Sequence, residues 1–252
     1  MWNLKNKKAL ITGGTKGIGR ASVIEFAELG AQVLFVSRNQ KDIENFSEEL
    51  KEKGFAIKGL KADVSREEDL LKIETWIREN WGSLDILVNN AGMNIRKKAA
   101  EYSEEEVNRV LSINLLAPFN LSIKLYPFLK KSSGASIINV SSVAATQDVG
   151  TGAPYGMAKA GLLQQTRSLA TEWAKDGIRV NAVSPWFTET PLTQGYLGQQ
   201  ERLNSITERT PLGRVARAEE MSSLICFLAM EKSSYVTGQN IIADGGMSIS
   251  AF

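Results

Sequence analysis

Ser142, Tyr155 and Lys159 are the residues in this chain whose types and spacing suggest chemistry. Tyr155 and Lys159 are four apart, so on a helix they share one face. A lysine ammonium near a phenol favours the phenolate and lowers its pKa, which would make Tyr155 a general acid/base usable near neutrality. The spacing alone decides little, because Tyr126 and Lys130 repeat it. Context separates the two pairs. Ser142 stands thirteen residues before Tyr155 at the end of an apolar run, whereas Ile113 holds that position before Tyr126, and Pro127 follows Tyr126 directly. Tyr126 is therefore expected to pack on a helix. The chain has no histidine, which removes Ser-His-Asp and Cys-His catalysis and most transition-metal sites.

The elements that must position these groups alternate along the chain. Strand-like runs occur at Lys8–Thr12, Gln32–Val36, Phe55–Ala62, Leu84–Val88, Ser136–Val140, Ile178–Val183 and Gln239–Ala243. Helix-like runs fall between them, including one that opens at the capping pattern Ser103–Glu106 and extends towards Lys131. This pattern predicts an α/β fold: a single-domain, Rossmann-type, doubly wound parallel sheet of about seven strands with helices on both faces, spanning 1–252. The stretch 186–215 mixes prolines, glycines, threonines and scattered large apolar residues after a strand end. It is expected to be a lid over the pocket rather than an ordinary surface excursion.

The first strand runs into Thr12-Gly13-Gly14-Thr15-Lys16-Gly17-Ile18-Gly19. Glycines there let the backbone approach a pyrophosphate, and the helix that follows supplies N–H donors and its dipole. Gly13, Thr15, Lys16, Gly17, Ile18 and Gly19 are thus candidate cofactor ligands. The second strand ends in Ser37-Arg38 instead of the carboxylate that accepts from an NAD ribose. With Lys16 able to approach the same space, these residues suit a 2′-phosphate, so NADP(H) is the expected cofactor.

Taken together, Thr12-Gly13-x-x-x-Gly17-x-Gly19, Asn89-Asn90-Ala91-Gly92, Asn114, Ser142 and Tyr155-x-x-x-Lys159 resemble the short-chain dehydrogenase/reductase family over essentially the full length. The wording around Pro185-Trp186 and the Ser37-Arg38 pair is most similar to tropinone-reductase-type NADPH carbonyl reductases. The resemblance implies a catalytic tetrad of Asn114, Ser142, Tyr155 and Lys159. In it Ser142 hydrogen-bonds the substrate carbonyl and Tyr155 protonates the oxygen as the nicotinamide delivers hydride. Lys159 binds the nicotinamide ribose and depresses the tyrosine pKa, and Asn114 holds a water leading to Lys159. It also implies Asp63 and Val64 at the adenine, Asn89, Ala91 and Gly92 beside the ribose, and Pro185, Thr188 and Thr190 near the carboxamide. Many members have glycine where this chain has Trp186, whose indole either shapes the pocket or packs in the core. Ala144, Val149, Phe187, Leu192 and Tyr196 are the further pocket candidates, beside Ser142, Tyr155 and Trp186.

Lys+Arg 30 against Asp+Glu 28 leaves a net charge of +2, which gives no field for nucleic acid or membrane. Neither a signal-peptide core nor a membrane-spanning run is visible, and the single cysteine, Cys226, excludes an internal disulfide. A cytoplasmic protein is expected. The family's habit implies a homo-oligomer, a tetramer or a dimer. The leading expectation is NADPH-dependent reduction of a ketone or aldehyde with appreciable apolar surface: no cluster of cations occupies the early part of 186–215, so a strongly anionic substrate is not demanded, while Arg202 and Arg209 leave one open. The alternatives are an NADP-linked alcohol or sugar dehydrogenase working oxidatively, and a non-catalytic cofactor-binding regulator.

Overall fold

The structure is a computed structural model that describes residues 2–250. Seven apolar runs become strands: β1 Lys8–Thr12, β2 Gln32–Ser37, β3 Ile57–Lys61, β4 Ile86–Asn89, β5 Ala135–Val140, β6 Ile178–Pro185 and β7 Asn240–Ala243. They are nearly continuous in hydrophobicity because both faces of a parallel sheet are covered. All pair in parallel in the order β3-β2-β1-β4-β5-β6-β7.

Helices α1 Gly17–Glu28, α2 Gln40–Glu52, α3 Glu67–Asn80, α4 Glu104–Leu111, α5 Ala117–Leu129, α6 Ala153–Trp173, α7 Pro191–Leu197, α8 Gln200–Glu208 and α9 Ala218–Ala229 complete the main elements. Neighbouring strand residues feed opposite cores, as the pleat requires. Ala9 and Ile11 join Phe26 of α1, Phe46 of α2 and Ile225 of α9 on one face. Leu10 joins Ile73 of α3, Leu121 of α5 and Leu169 of α6 on the other. Cys226 is buried in the first of these cores, and burial pushes its thiol up.

The predicted long helix from Ser103 is interrupted. Ser103 does cap it, accepting from the Glu106 N–H at 3.2 Å while Glu106 reaches back to the Ser103 N–H at 3.0 Å. Between α4 and α5, Ser112–Leu116 forms a π turn, in which the Ala117 N–H reaches back to the Ser112 carbonyl. Pro118 is the cause we assign: it has no N–H for the Asn114 carbonyl, and its ring would press on it. The predicted third strand is trimmed to Ile57–Lys61 at an edge of the sheet.

A buried polar chain ties the middle of the sheet to its helices. Asn89 and Asn139 are register partners on β4 and β5, and Asn89 Nδ2 donates to Asn139 Oδ1 at 2.9 Å. Asn139 Nδ2 donates to Thr166 Oγ1 of α6 at 2.9 Å, and Asn89 also reaches Ser122 of α5 at 3.3 Å. Among the described residues no helix is long and apolar enough to cross a membrane.

Candidate active site

Because all seven strands run the same way, their carboxyl ends meet at one edge. Between β1 and β4 the chain order reverses, leaving a crevice of the kind that binds ligands in doubly wound folds. Thr12 and Asn90 close its floor. Thr12 Oγ1 accepts from the Asn90 and Ala91 N–H groups at 2.9 and 3.0 Å, and Asn90 Nδ2 donates to the Thr12 carbonyl at 2.8 Å.

The glycine loop joins β1 to α1. Gly17 has φ +54°, and a side chain on Gly19 would run into the Gly13 carbonyl and Asn90, so no larger residue fits there. These residues leave the backbone bare at the start of α1, a cradle fitted to a pyrophosphate. Thr15 is turned towards Ser37, the two hydroxyl oxygens 2.9 Å apart. Lys16 leaves the loop to pair with Asp42 in the first turn of α2 at 2.7 Å. It does reach the space beyond β2, but with its charge already engaged. Arg38 is exposed and has no ion-pair partner among the described residues.

A cavity of about 260 Å³ opens beside the loop. Gly13, Lys16, Gly17, Ile18, Ala91, Gly92, Pro185, Thr188 and Thr190 line it, together with Ser142, Tyr155 and Lys159 and with Val149, Trp186, Phe187 and Leu192. Asp63 and Val64 follow the end of β3 outside this cavity, where the Asp63 carboxylate accepts from the Ser65 N–H and hydroxyl at 3.0 and 2.7 Å. Three expectations change. Asn89 turns its side chain into the buried chain between β4 and α6, and it is Asn90 that faces the cavity. Ala144 is buried beneath Ser142, giving its N–H to the serine oxygen at 3.1 Å. Tyr196 does not line the cavity but stacks behind Phe187, with ring centroids 5.3 Å apart.

Trp186 resolves its two alternatives by doing both. Its indole lines the cavity, packs edge-on against Phe187 at 4.7 Å and donates to Thr210 Oγ1 at 3.2 Å. The stretch after β6 is not irregular: α7 and α8 fold back around a small cluster of Phe187, Ile206 and Val215.

Ser142 caps a short turn after β5, and Pro154 starts α6 so that Tyr155 lies in its first turn. Tyr155 is half-buried. Burial raises its pKa, while the Ser142 hydroxyl and the Arg96 guanidinium pull the other way. Lys159 contributes differently from expectation. Its Nζ donates to the Val140 carbonyl at 2.8 Å and stands 5.6 Å from the centre of the Tyr155 ring. Burial alone lowers the Lys159 ammonium to about 8. Asn114 is wholly buried, and its side chain clamps Met93, donating to the carbonyl at 2.8 Å and accepting from the N–H at 3.3 Å. The second Tyr-x-x-x-Lys pair is a structural tie: Tyr126 donates to Asp176 at 2.6 Å, and Lys130 pairs with the same carboxylate at 2.8 Å.

Asn90, Asn94, Arg96, Ser141 and Thr193 also line the cavity and were not among the sequence candidates. Among the described residues no group of acidic, cysteine or histidine side chains could hold a metal.

A doubly wound parallel sheet with a glycine-cradled crevice at its switch point defines a dinucleotide-binding architecture. A family model described as enoyl-(acyl carrier protein) reductase matches residues 13–248. A tropinone reductase homolog of Arabidopsis thaliana is 44% identical over 252 residues, covering 100% of this chain and 96% of that protein. One from Datura stramonium is 39% identical over 255 residues, covering 100% and 95%. A solved gluconate 5-dehydrogenase from Burkholderia cenocepacia, in complex with NADP and tartrate, superposes with a TM-score of 0.94 at 28% identity, covering 99% of this chain and 98% of that one. The chain belongs to the short-chain dehydrogenase/reductase family.

Proposed function

We propose that this protein is an NADP(H)-dependent oxidoreductase that reduces a ketone or aldehyde to an alcohol, with Ser142, Tyr155 and Lys159 performing the proton chemistry and Asn114 supporting them. The observation that carries this is one cavity lined both by these three residues and by the glycine loop. The nicotinamide, when bound, supplies the hydride. Ser142 Oγ orients the carbonyl oxygen. Tyr155, whose pKa lies above the usual phenol value through burial, is protonated at neutral pH and hands its proton to the oxygen as charge develops. Lys159, lowered to about 8, can take up and release a proton near neutrality and so restore the tyrosine. Asn114 fixes Met93, and with it the loop that borders the cavity.

NADP(H) over NAD(H) rests on Ser37 and on an Arg38 guanidinium with no carboxylate to neutralise it. We take the segment of α7 and α8 as the lid, with Trp186, Phe187 and Leu192 towards the substrate. The protein is proposed as a cytosolic homo-oligomer: Leu116, Phe119 and Ile123 present apolar surface along one face at and beside α5, each more than two-fifths exposed. The likeness to a gluconate 5-dehydrogenase supports a second reading, in which the same site runs oxidatively on a hydroxylated substrate.

The test is a panel of ketones, aldehydes and keto-esters scored by NADPH consumption, for the natural enzyme and Tyr155→Phe. Turnover should vanish in the variant while NADPH still binds. Activity retained by Tyr155→Phe, or no turnover of any carbonyl, would refute the assignment.

A further inference from the structure

Lys16, Arg96 and Lys159 are the charged residues lining the cavity, and no Asp or Glu lines it among the described residues. Lys16 is paired with Asp42, and Lys159 donates to the Val140 carbonyl. Arg96 remains. It comes from the loop after β4, where its neighbours Lys97 and Lys98 are exposed, yet its own Nε is buried and has no hydrogen-bond partner. Its guanidinium stands 5.3 Å from the centre of the Tyr196 ring, and it is near enough to Tyr155 to act on the phenol. No carboxylate pairs with it among the described residues. A guanidinium that lines a cavity with no carboxylate beside it is available to pair with an anionic ligand.

The surroundings hold this side chain in place. The Tyr102 hydroxyl donates to the Ile95 carbonyl and accepts from the Lys97 N–H, so it grips the backbone on both sides of Arg96. Asn94 Nδ2 donates to the Thr151 carbonyl at 3.0 Å, leaving its Oδ1 buried and free at the same wall. Gly152 lies against the Tyr102 hydroxyl so closely that a side chain there would displace it. Three ties therefore fix the loop: Asn114 at Met93, Asn94 at Thr151 and Tyr102 around Arg96.

We propose that Arg96 is a specificity-determining residue that binds an anionic group, a carboxylate, on the carbonyl substrate, so that the natural substrate is a small oxo acid rather than a neutral ketone. This rests on the oxidoreductase reading of the same cavity. A guanidinium presents its two terminal nitrogens side by side, a geometry that takes both oxygens of a carboxylate, and Arg96 lines the cavity. Tyr196, stacked on Phe187, holds the face of the guanidinium. Tyr102 acts as a positioning residue.

The experiment uses pyruvate, acetoacetate and levulinate, each beside its methyl ester, with NADPH. At least one acid should exceed its ester in kcat/KM by about tenfold or more. Arg96→Gln should lower that acid-to-ester ratio by about 30-fold or more, as loss of one partner of a desolvated charge pair does. Arg96→Lys, which keeps the charge but loses the fork, should fall between. Tyr102→Phe should lower the ratio with the KM for NADPH unchanged. The same pairs are titrated calorimetrically into NADPH-loaded Tyr155→Phe enzyme, where binding does not depend on turnover. Tighter binding of acids that Arg96→Gln abolishes, without turnover of any compound, would sustain the anion site and refute the reductase reading. Equal binding and turnover of acids and esters, or an Arg96→Gln defect that strikes both equally, would overturn the inference.

Discussion

Replacing Lys159 by methionine should make the protein more stable while abolishing its activity. Lys159 is 4% exposed, and burial pulls its pKa from 10.5 to about 8. At 1.36 kcal/mol per pH unit, keeping that ammonium charged in the fold costs about 3 kcal/mol at pH 7. Methionine has similar length and no charge, but it leaves the Val140 carbonyl without its 2.8 Å donor, a loss of about 1 kcal/mol. A net gain of about 2 kcal/mol at pH 7 follows. The sign with pH is fixed by the direction of the shift. Between about pH 8 and 10.5 the unfolded lysine holds its proton and the folded one does not, so the natural protein gains stability as pH rises. The advantage of Lys159→Met should therefore shrink by about 2 kcal/mol between pH 7 and pH 10. Urea unfolding of both proteins, followed by tryptophan fluorescence at the two pH values and one protein concentration, measures it. The difference between the two proteins removes the contributions of other titrating groups. An advantage that stays constant with pH, or a variant less stable at pH 7, would refute the burial account.

Arg38→Asp should lower the NADPH-to-NADH ratio of kcat/KM by about a hundredfold, because it replaces a charge-assisted hydrogen bond with repulsion. An unchanged ratio would remove Ser37-Arg38 from the cofactor site. Gly19→Ala should weaken NADPH binding at least tenfold in a fluorescence titration, since its methyl would press on the Gly13 carbonyl and Asn90; the overpacking should also destabilise the fold by about 1–3 kcal/mol. Ile123→Glu should reduce the mass in light scattering to the 27.6 kDa of a single chain, and a wild-type mass already at that value would exclude the proposed oligomer.

The strands were legible because a sheet covered on both faces demands apolar runs such as Gln32–Val36 and Ser136–Val140, which no amphipathic helix imitates. The glycine loop was legible because its residues answer to backbone sterics, which are local. Side-chain direction at strand ends was not. Asn89 and Asn90 are chemically identical, and only the pleat, which sends one inward and the next to the cavity, tells them apart. Arg96 was hidden by its neighbours: Arg96-Lys97-Lys98 reads as a solvated charged run, and only tertiary contacts with Tyr102 and Tyr196 single out its first member. The orientation of Lys159 was equally invisible, since a helix places it on the face of Tyr155 but does not decide between the phenol and the Val140 carbonyl.

The buried chain from Asn89 through Asn139 to Thr166 acts as a ruler. Thr166 lies eleven residues after Tyr155, close to three helical turns, so both belong to one side of α6. Its hydroxyl, docked on Asn139, fixes how far α6 slides along the sheet and how it rolls about its axis. A slip of β4 against β5 by a single residue would part Asn89 from Asn139 and strand three polar groups in a dry core. The distance from Tyr155 to the strand ends is thus set about 16 Å along the helix from the tyrosine. Substitutions at Trp186, Leu192 or Arg96 therefore alter the cavity lining without touching that gauge.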